Sequence, residues 1–142
     1  MSFDLSAGIS DVELIEQILA ALRADADLQT LLGSPARIFD DETRAALFPY
    51  VVLERCERRD ASAASVSGAE HRLQFATLSR AGGQTEAKAL LATLRSAVQR
   101  MELTLSRQRV ILVHPTYSDV MRAPNRQVLR GVMRVRIVTE EV

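Results

Sequence analysis

The sequence predicts an α+β domain in which an antiparallel sheet of about four main strands packs against two α-helices, with one long loop between two strands. Three observations lead to this prediction. Apolar residues recur every three to four positions in two segments, which is typical of helices with one buried face. In other segments the character of the side chains repeats at every second residue, because successive side chains of a β-strand point to opposite faces. Successive strand segments follow one another like hairpins, which favours antiparallel pairing.

Length and composition predict a single domain spanning residues 1–142. Hydrophobic residues make up 47% and charged residues 25%, which is ordinary for a soluble globular protein. The first residues lack the basic start and apolar core of a signal peptide, so we expect a cytoplasmic origin and no membrane partner. Cys56 is the lone cysteine, and its strand-like surroundings predict a buried, unreactive thiol.

Charge is divided unevenly along a chain whose formal net charge is zero. Residues 1–60 hold twelve acidic residues against six arginines, and residues 61–142 hold six acidic against twelve basic residues. Zero net charge gives no overall attraction to nucleic acid. Two halves of opposite sign suit a subunit that meets copies of itself, but they can equally neutralise each other inside one fold.

The first helix is predicted from the capping-box spacing of Ser10 and Glu13, which places its start at Ser10. Its body then covers Asp11–Ala24, with one apolar stripe toward the core. Asp25 or Asp27 restarts a short helix, and Gly33 is expected to end it in the left-handed conformation. The strongest helical pattern is Thr85–Met101, with a glutamate in the first turn and arginines near the end.

Period-two patterns and β-branched residues predict the strands. His71 is interpreted as a polar group at a strand edge. His114 and Pro115 are expected to end the fourth segment, which leaves Thr116–Arg126 as a polar connection. The small residues of Arg59–Gly68 predict a long flexible loop. The predicted strand segments are Arg37–Phe39, Val51–Arg58, Ala69–Arg80, Leu103–Val113 and Gln127–Thr139.

The last strand has two different faces. Its apolar face, which should meet the core, consists of Leu129, Gly131, Met133, Val135 and Ile137. The opposite face mixes valines with arginines, and a solvated strand does not need those valines. Some partner must therefore cover it. The residues of this face are Val128, Arg130, Val132, Arg134, Arg136 and Val138.

No catalytic, metal or cofactor site is predicted. The chain has two distant histidines, one cysteine and no paired-carboxylate motif, so we expect no enzyme. Asp40, Asp41 and Glu42 form an acidic turn that lacks the further ligands a cation needs. Gly82 and Gly83 precede a helix without the spacing or the lysine of a phosphate-binding loop.

Five segments together resemble a known family. They are LIEQILAALRADADLQTLLG, RIFDD, FPYVVLE, GAEHRLQFATLSRAGGQTEAKALLATLRSAV and GVMRVRIV, in this order. The chain from Leu14 to Val138 resembles the small tail-completion proteins of long-tailed phages and of gene transfer agents. The resemblance rests on the order of the segments, since no single motif in it is diagnostic.

The resemblance implies a tail terminator, a structural virion protein that forms a ring, usually of six subunits, on the head-proximal end of the tail tube. Such a ring stops tube polymerisation and joins the tail to the head. Its partners would be its own copies, the tail tube protein and the head–tail connector or stopper. DNA would pass through the lumen, and assembly would take place in the host cytoplasm. The alternatives are another connector component, such as a stopper or adaptor, or a small nucleic-acid-binding domain.

Within this family frame, two segments are candidate contact sites. Three interpretations of the valine and arginine face are open: an internal ladder with Glu54 or Glu57, a subunit interface, or contact with DNA. DNA contact is the least favoured, because a dense arginine lining would hold phosphates and slow the strand. The interface candidates are Val128, Arg130, Val132, Arg134 and Arg136. The loop candidates for contact with the tube or connector are Arg59, Asp60, Ser62, Ser65 and Ser67.

Overall fold

Five strands and three helices make up the described part of the chain in this computed structural model, which covers residues 5–41, 47–62, 66–80, 83–122 and 127–142. The helices are α1 (Leu5–Arg23), α2 (Ala26–Leu32) and α3 (Gln84–Arg100). The strands are β1 (Ile38–Phe39), β2 (Tyr50–Asp60), β3 (Gly68–Ser79), β4 (Gln108–Arg122) and β5 (Leu129–Glu141). None of the described helices is long and apolar enough to cross a membrane.

The strands form one sheet in the order β1-β2-β3-β5-β4, so β5 lies inside the sheet and β4 at its edge. β1 runs parallel to β2, and all other pairs are antiparallel. The prediction of an antiparallel sheet of about four strands is therefore corrected to a mixed sheet of five. Ten residues separate β1 from β2, enough chain to return to the same end of the sheet.

All three helices pack on one face of the sheet and enclose the main core. α1 packs on β1, where Arg23 Nε donates to the backbone oxygen of Ile38 at 2.9 Å. α3 packs over β3, β5 and β4. The largest fully buried side chains are Phe75, Leu14, Ile18, Leu22, Leu28, Leu32, Ile38, Leu73, Leu94, Leu129, Met133 and Ile137.

α1 begins at Leu5, so the predicted start at Ser10 is wrong. The residues before Ser10 continue the helix, and a capping box expresses only a local preference that the preceding chain can override. Glu13 has a different role from the predicted one. Its carboxylate accepts hydrogen bonds from the backbone N–H and the hydroxyl of Ser106, which ties α1 to the segment between α3 and β4.

The start and end of α2 confirm the prediction. Asp25 is the N-cap, and its carboxylate accepts from the backbone N–H groups of Asp27 and Leu28 at 3.0 and 3.1 Å. Gly33 ends the helix with a φ of 86°, a value that favours glycine. The guanidinium of Arg100 binds Asp25 at 2.8 Å, so the end of α3 is joined to the start of α2.

β4 continues past Pro115, so the predicted end of that strand at His114 and Pro115 is wrong. Residues 116–122 of the predicted polar connection belong to the strand. Proline is tolerated here because β4 lies at the edge of the sheet, and the register shifts between Pro115 and Tyr117. The missing N–H of Pro115 therefore costs the sheet little.

The loop between β2 and β3 is shorter than predicted. Arg59 pairs with Glu70 and Asp60 with Ala69, so the first two residues of the predicted loop belong to β2. The backbone N–H of Ala61 also donates to the oxygen of Gly68 at 2.9 Å, which extends the hairpin. Long antiparallel pairing has overridden the flexible composition of this segment.

The apolar face of β5 meets the helices as predicted, and Leu129, Gly131, Met133, Val135 and Ile137 are all buried. Gly131 marks the closest approach. A Cβ atom there would lie 2.3 Å from Thr77 Oγ1 and 3.0 Å from Leu91 Cδ1. Only a residue without a side chain lets α3 and β3 pack this closely on β5.

We therefore expect Gly131→Ala to lower the free energy of unfolding by about 1–3 kcal/mol, because an added methyl group overpacks a site bounded by a stiff β-branched residue. Urea denaturation monitored by circular dichroism measures the change. Gly83→Ala is the matched control, since no atom lies within 4 Å of its Cβ position. Equal stability of the two variants would contradict this account of the packing.

His71 is completely buried, so its interpretation as a polar group at a strand edge is wrong. It lies on the helix-facing side of β3, where Nε2 is 3.1 Å from Thr139 Oγ1. Its Nδ1 has no hydrogen-bond partner among the described residues. Burial lowers the pKa of His71, although Asp11 acts in the opposite direction and Arg58 acts with burial. The imidazole is therefore neutral in the folded protein at neutral pH.

A lowered pKa in the folded state makes the unfolded chain bind the proton more tightly. The stability that His71 contributes is therefore present above its unfolded pKa of about 6.5 and is lost as the pH falls. We expect the free energy of unfolding to fall by up to about 1.4 kcal/mol per pH unit as the pH falls below 6.5 toward the lowered folded-state pKa. His71→Gln should flatten this slope in urea titrations, and an unchanged slope would contradict the assignment. Carboxylates held by arginines contribute at lower pH.

Candidate functional site

The face of the sheet turned away from the helices, here called the open face, carries a network of charged side chains. The β3–β5 register produces it, because Arg72 is the partner of Arg136 and Gln74 is the partner of Arg134. Two arginines opposite each other would repel. Glu70 prevents this, since one of its oxygens accepts from Arg72 Nε at 3.1 Å and from Arg136 Nε at 2.9 Å. These hydrogen bonds lower the pKa of Glu70.

Arg130 and Arg134 make further internal contacts on the open face. Arg130 forms an ion pair with Glu54. Partial burial acts to raise the pKa of Glu54, but hydrogen bonds from Arg130 and Gln74 lower it. Arg134 Nε donates to Gln74 Oε1 at 3.2 Å. Of the three interpretations left open by the sequence, the internal ladder with Glu54 is therefore present in the structure, and it does not test the other two.

Glu57, the other predicted ladder partner, binds arginines of its own strand. It accepts from Arg55 at 3.0 Å and from Arg59 at 2.8 Å, and hydrogen bonding to Arg59 lowers its pKa. The register shift between Leu53 and Arg55 explains the difference, because it leaves Glu54 between two ladder pairs. Such exposed pairs add little to stability, because water screens them.

The valines of this face are covered from within the chain. Val132 is only 7% exposed. Val128 packs, with Phe48 and Tyr50, against a small second apolar cluster on the open face of the sheet. The buried members of this cluster are Val52, Ala76 and Leu78. Of the five interface candidates, Arg134 and Arg136 are therefore the two that remain exposed.

Both of these arginines line a groove of about 590 Å³ on the open face. Five arginines and two glutamates contribute to its lining, which leaves an excess of three positive charges. Each glutamate already bridges two arginines, and each guanidinium has five N–H donors, so unused donors remain. The groove can therefore hold carboxylates presented by another protein surface. Its charged residues are Arg55, Glu57, Arg59, Glu70, Arg72, Arg134 and Arg136.

Exposed apolar side chains adjoin this groove along β4. The guanidinium of Arg134 lies 5.1 Å from the ring centroid of Tyr117, a cation–π contact. Tyr117 and Met121 are 46% and 43% exposed and stand opposite Arg134 and Arg130. The sequence did not predict that these two residues belong to the site, because the strand was expected to end at Pro115. The alternation of Tyr117, Asp119 and Met121 beyond the proline was the available signal.

The loop candidates lie at the end of the β2–β3 hairpin. Arg59 and Asp60 belong to β2, and the side chain of Asp60 is 84% exposed. Ser62 and Ser67 are exposed, and Ser65 lies outside the described residues. Arg59 also lines the groove. The hairpin end and the arginines of β5 therefore share one surface of the sheet.

The described residues contain no group of three or more potential ligands that could hold a metal ion. Burial raises the pKa of the Cys56 thiol to about 11, with a smaller contribution from Asp11. Its thiol is therefore protonated at neutral pH and a poor nucleophile, although Cys56 is half-buried and not fully buried as predicted. What the open face can do chemically is bind charged and apolar surfaces.

The chain is similar to one protein family and to a chain of a solved structure. A family model described as Tail completion protein gp17 matches residues 16–140. A chain in a solved structure of the virion of a native gene transfer agent (GTA) particle superimposes with a TM-score of 0.76. The two chains are 28% identical, and the match covers 87% of this chain and 91% of that chain. A search of the curated proteins gives no match.

The family match extends over most of the chain, from the second half of α1 to the penultimate residue of β5. It agrees with the resemblance found in the sequence, which runs from Leu14 to Val138. The chain belongs to the tail completion protein gp17 family and is a structural protein of the virion tail.

Proposed function

We propose that this protein is the tail terminator of a long-tailed phage or a gene transfer agent. Copies of the chain form a ring, of six subunits, on the head-proximal end of the completed tail tube. The ring stops tube polymerisation and presents a surface to the head–tail connector or stopper. DNA passes through its lumen without sequence-specific binding.

The observation that carries this proposal is the match over residues 16–140 to a tail completion family, joined to a fold shared with a chain of a gene transfer agent virion. The described surface adds support. A groove on its open face is lined by arginines and lies beside exposed apolar residues of an edge strand. Such mixed surfaces suit contact between proteins better than they suit a small-molecule reaction.

Within the ring, Arg134 and Arg136 are the interface residues. They are exposed, they adjoin Tyr117, and their guanidinium groups can fork to carboxylates of a neighbour. Arg130, Val128 and Val132 lie on the same face of β5 beside these arginines, where Arg130 pairs with Glu54 and Val128 packs on the second cluster. The end of the β2–β3 hairpin, with Arg59, Asp60, Ser62, Ser65 and Ser67, contacts the tail tube or the connector.

Deletion of the gene tests the function. A missing terminator should give tails of uncontrolled length, or tails that fail to join heads, and electron microscopy of the particles measures both. Purified protein added to tail tubes should form rings at one tube end. Tails of normal length beside heads that leak DNA would identify a stopper or adaptor instead.

The interface assignment is tested by the double reversal Arg134→Glu with Arg136→Glu. Exposed ion pairs contribute little to stability, so the variant should fold normally, yet it should not form rings on tubes. Circular dichroism checks the fold and electron microscopy checks the rings. The control reverses Arg80 and Arg109, two exposed arginines outside this groove, and should keep its rings. Rings formed by the first variant would contradict the assignment.

A further inference from the structure

Two bulges in β4 turn apolar side chains onto the open face of the sheet. The ladder of β4 with β5 steps from Val110 directly to Leu112, and again from Pro115 directly to Tyr117. In a regular strand, residues two positions apart share a face, but one extra residue at each bulge reverses the alternation. Val110 packs against the main core and Pro115 is buried, so both face the helices. Leu112 and Tyr117 therefore face the other way.

These two side chains and Met121 form an exposed apolar row on the open face, here called the β4 stripe. Met121 belongs to it because its ladder partner is Arg130 of the open face, and Leu112 is 38% exposed. Of the nine large apolar side chains that are exposed among the described residues, four belong to β4, the fourth being Ile111 in the first bulge. Such a concentration of exposed apolar side chains on one strand marks a place where another protein docks.

β4 is an edge strand, and its backbone is protected against pairing with a further strand. Pro115 lacks an N–H group, and both bulges interrupt the regular spacing that a new strand would need. Natural proteins usually place charged side chains on such an edge, because exposed apolar residues there promote aggregation. The β4 stripe keeps apolar side chains instead. β4 therefore offers its side chains, and not its backbone, to a partner.

The β4 stripe and the arginines of β5 form one continuous surface. The register places Tyr117 opposite Arg134 and Met121 opposite Arg130. The guanidinium of Arg134 lies 5.1 Å from the ring centroid of Tyr117, and the same arginine lines the groove of the open face. A protein surface that reaches Arg134 therefore also covers part of the β4 stripe.

Arg134 and Arg136 alone would make a weak contact, because water screens the ion pairs of exposed groups. Binding energy at protein interfaces is concentrated in a few aromatic and arginine side chains that their neighbours shield from water. Tyr117 beside Arg134 has this composition, and Leu112 and Met121 flank it on the same face. The β4 stripe can therefore supply the apolar core of a contact whose orientation the arginines determine.

We propose that the β4 stripe is the apolar anchor of the subunit contact in the ring, and that a second copy of this chain covers it. This inference rests on the proposed function and adds to it the residues that drive the contact.

Charge complementarity favours a second copy as the occupant. The groove beside the β4 stripe is lined by five arginines and two glutamates, whereas residues 1–60 hold twelve acidic residues against six arginines. Glu16 is an exposed acidic residue of that half, and it belongs to α1, which packs on the opposite face of the sheet. The open face of one copy thus meets a different surface of the next copy. Such a heterologous contact can repeat around a closed ring.

Truncation of the β4 stripe tests the anchor. Leu112→Ser with Tyr117→Ser removes apolar contact area but no charge, and both side chains are exposed, so the variant should fold normally. The protein concentration that caps half of the tail tubes should rise about tenfold or more, as expected for the loss of an anchoring aromatic side chain. Electron microscopy counts capped tubes, and circular dichroism verifies the fold. The matched control, Leu112→Ile with Tyr117→Phe, keeps the apolar area and should cap tubes as the wild type does.

The occupant is identified with the photo-reactive analogue p-benzoylphenylalanine in place of Tyr117, which keeps an aromatic ring at this position. Illuminated rings on tail tubes should yield a covalent product of two copies of this chain, recognised by mass spectrometry. A product that contains the tube protein, or DNA in assembled particles, would assign the β4 stripe to that partner and overturn the inference.

Two further results would overturn the inference. One is a serine variant that caps tubes at the wild-type concentration. The other is loss of wild-type rings from intact tubes in about 1 M salt, where charges are screened beyond about 3 Å but apolar contacts persist. Wild-type protein that forms no rings on tubes at low salt would instead refute the proposed function.

Discussion

The antiparallel pairing of β3 with β5 is the interaction on which the rest of the structure depends. It runs from Gly68 opposite Glu140 to Ser79 opposite Leu129. The same register that brings Phe75 to Met133 in the core brings Arg72 to Arg136 on the open face. A slip of one residue would exchange the two faces, burying arginines and exposing the core. The core and the charged surface are therefore specified together.

This coupling explains why the open face is charged yet ordered. The register alone would place like charges side by side, and Glu70 resolves the conflict by bridging Arg72 and Arg136. The bulge in β2 supplies a second carboxylate, Glu54, to Arg130. These bonds add little to stability because the groups are largely exposed. Their larger effect is to hold guanidinium groups in fixed positions, which lowers the entropy lost when a partner binds.

The sequence predicted those parts of the fold that local patterns determine. The extent of α3, the cap at Asp25, the turn at Gly33 and the buried face of β5 all depend on neighbouring residues. Features that depend on residues far away in the sequence were not predicted. Pro115 predicts the end of a strand unless β4 is known to be an edge strand, where proline is tolerated.

The charged residues of the open face were also predicted only as far as local patterns determine them. The alternation of β5 identified its arginines, but the choice of Glu54 over Glu57 depends on a register shift that no local pattern encodes. His71 also reads as polar and exposed unless one knows that α1, with Asp11, covers it. Sequence periodicity thus identifies the residues that share one face of a strand. The register between strands determines which of those side chains remain exposed.

The opposite charges of the two chain halves are partly used inside the fold. Arg100 binds Asp25, and Arg130 binds Glu54, so basic residues of the second half neutralise acidic residues of the first. Other charges remain exposed at the surface, among them Glu16, Asp40, Lys88 and Arg95. A monomer gains nothing from keeping them apart, because separated exposed charges interact weakly through water. In the ring that we propose, exposed charges of one copy that meet opposite charges of the next attract each other more strongly as water is excluded from the contact.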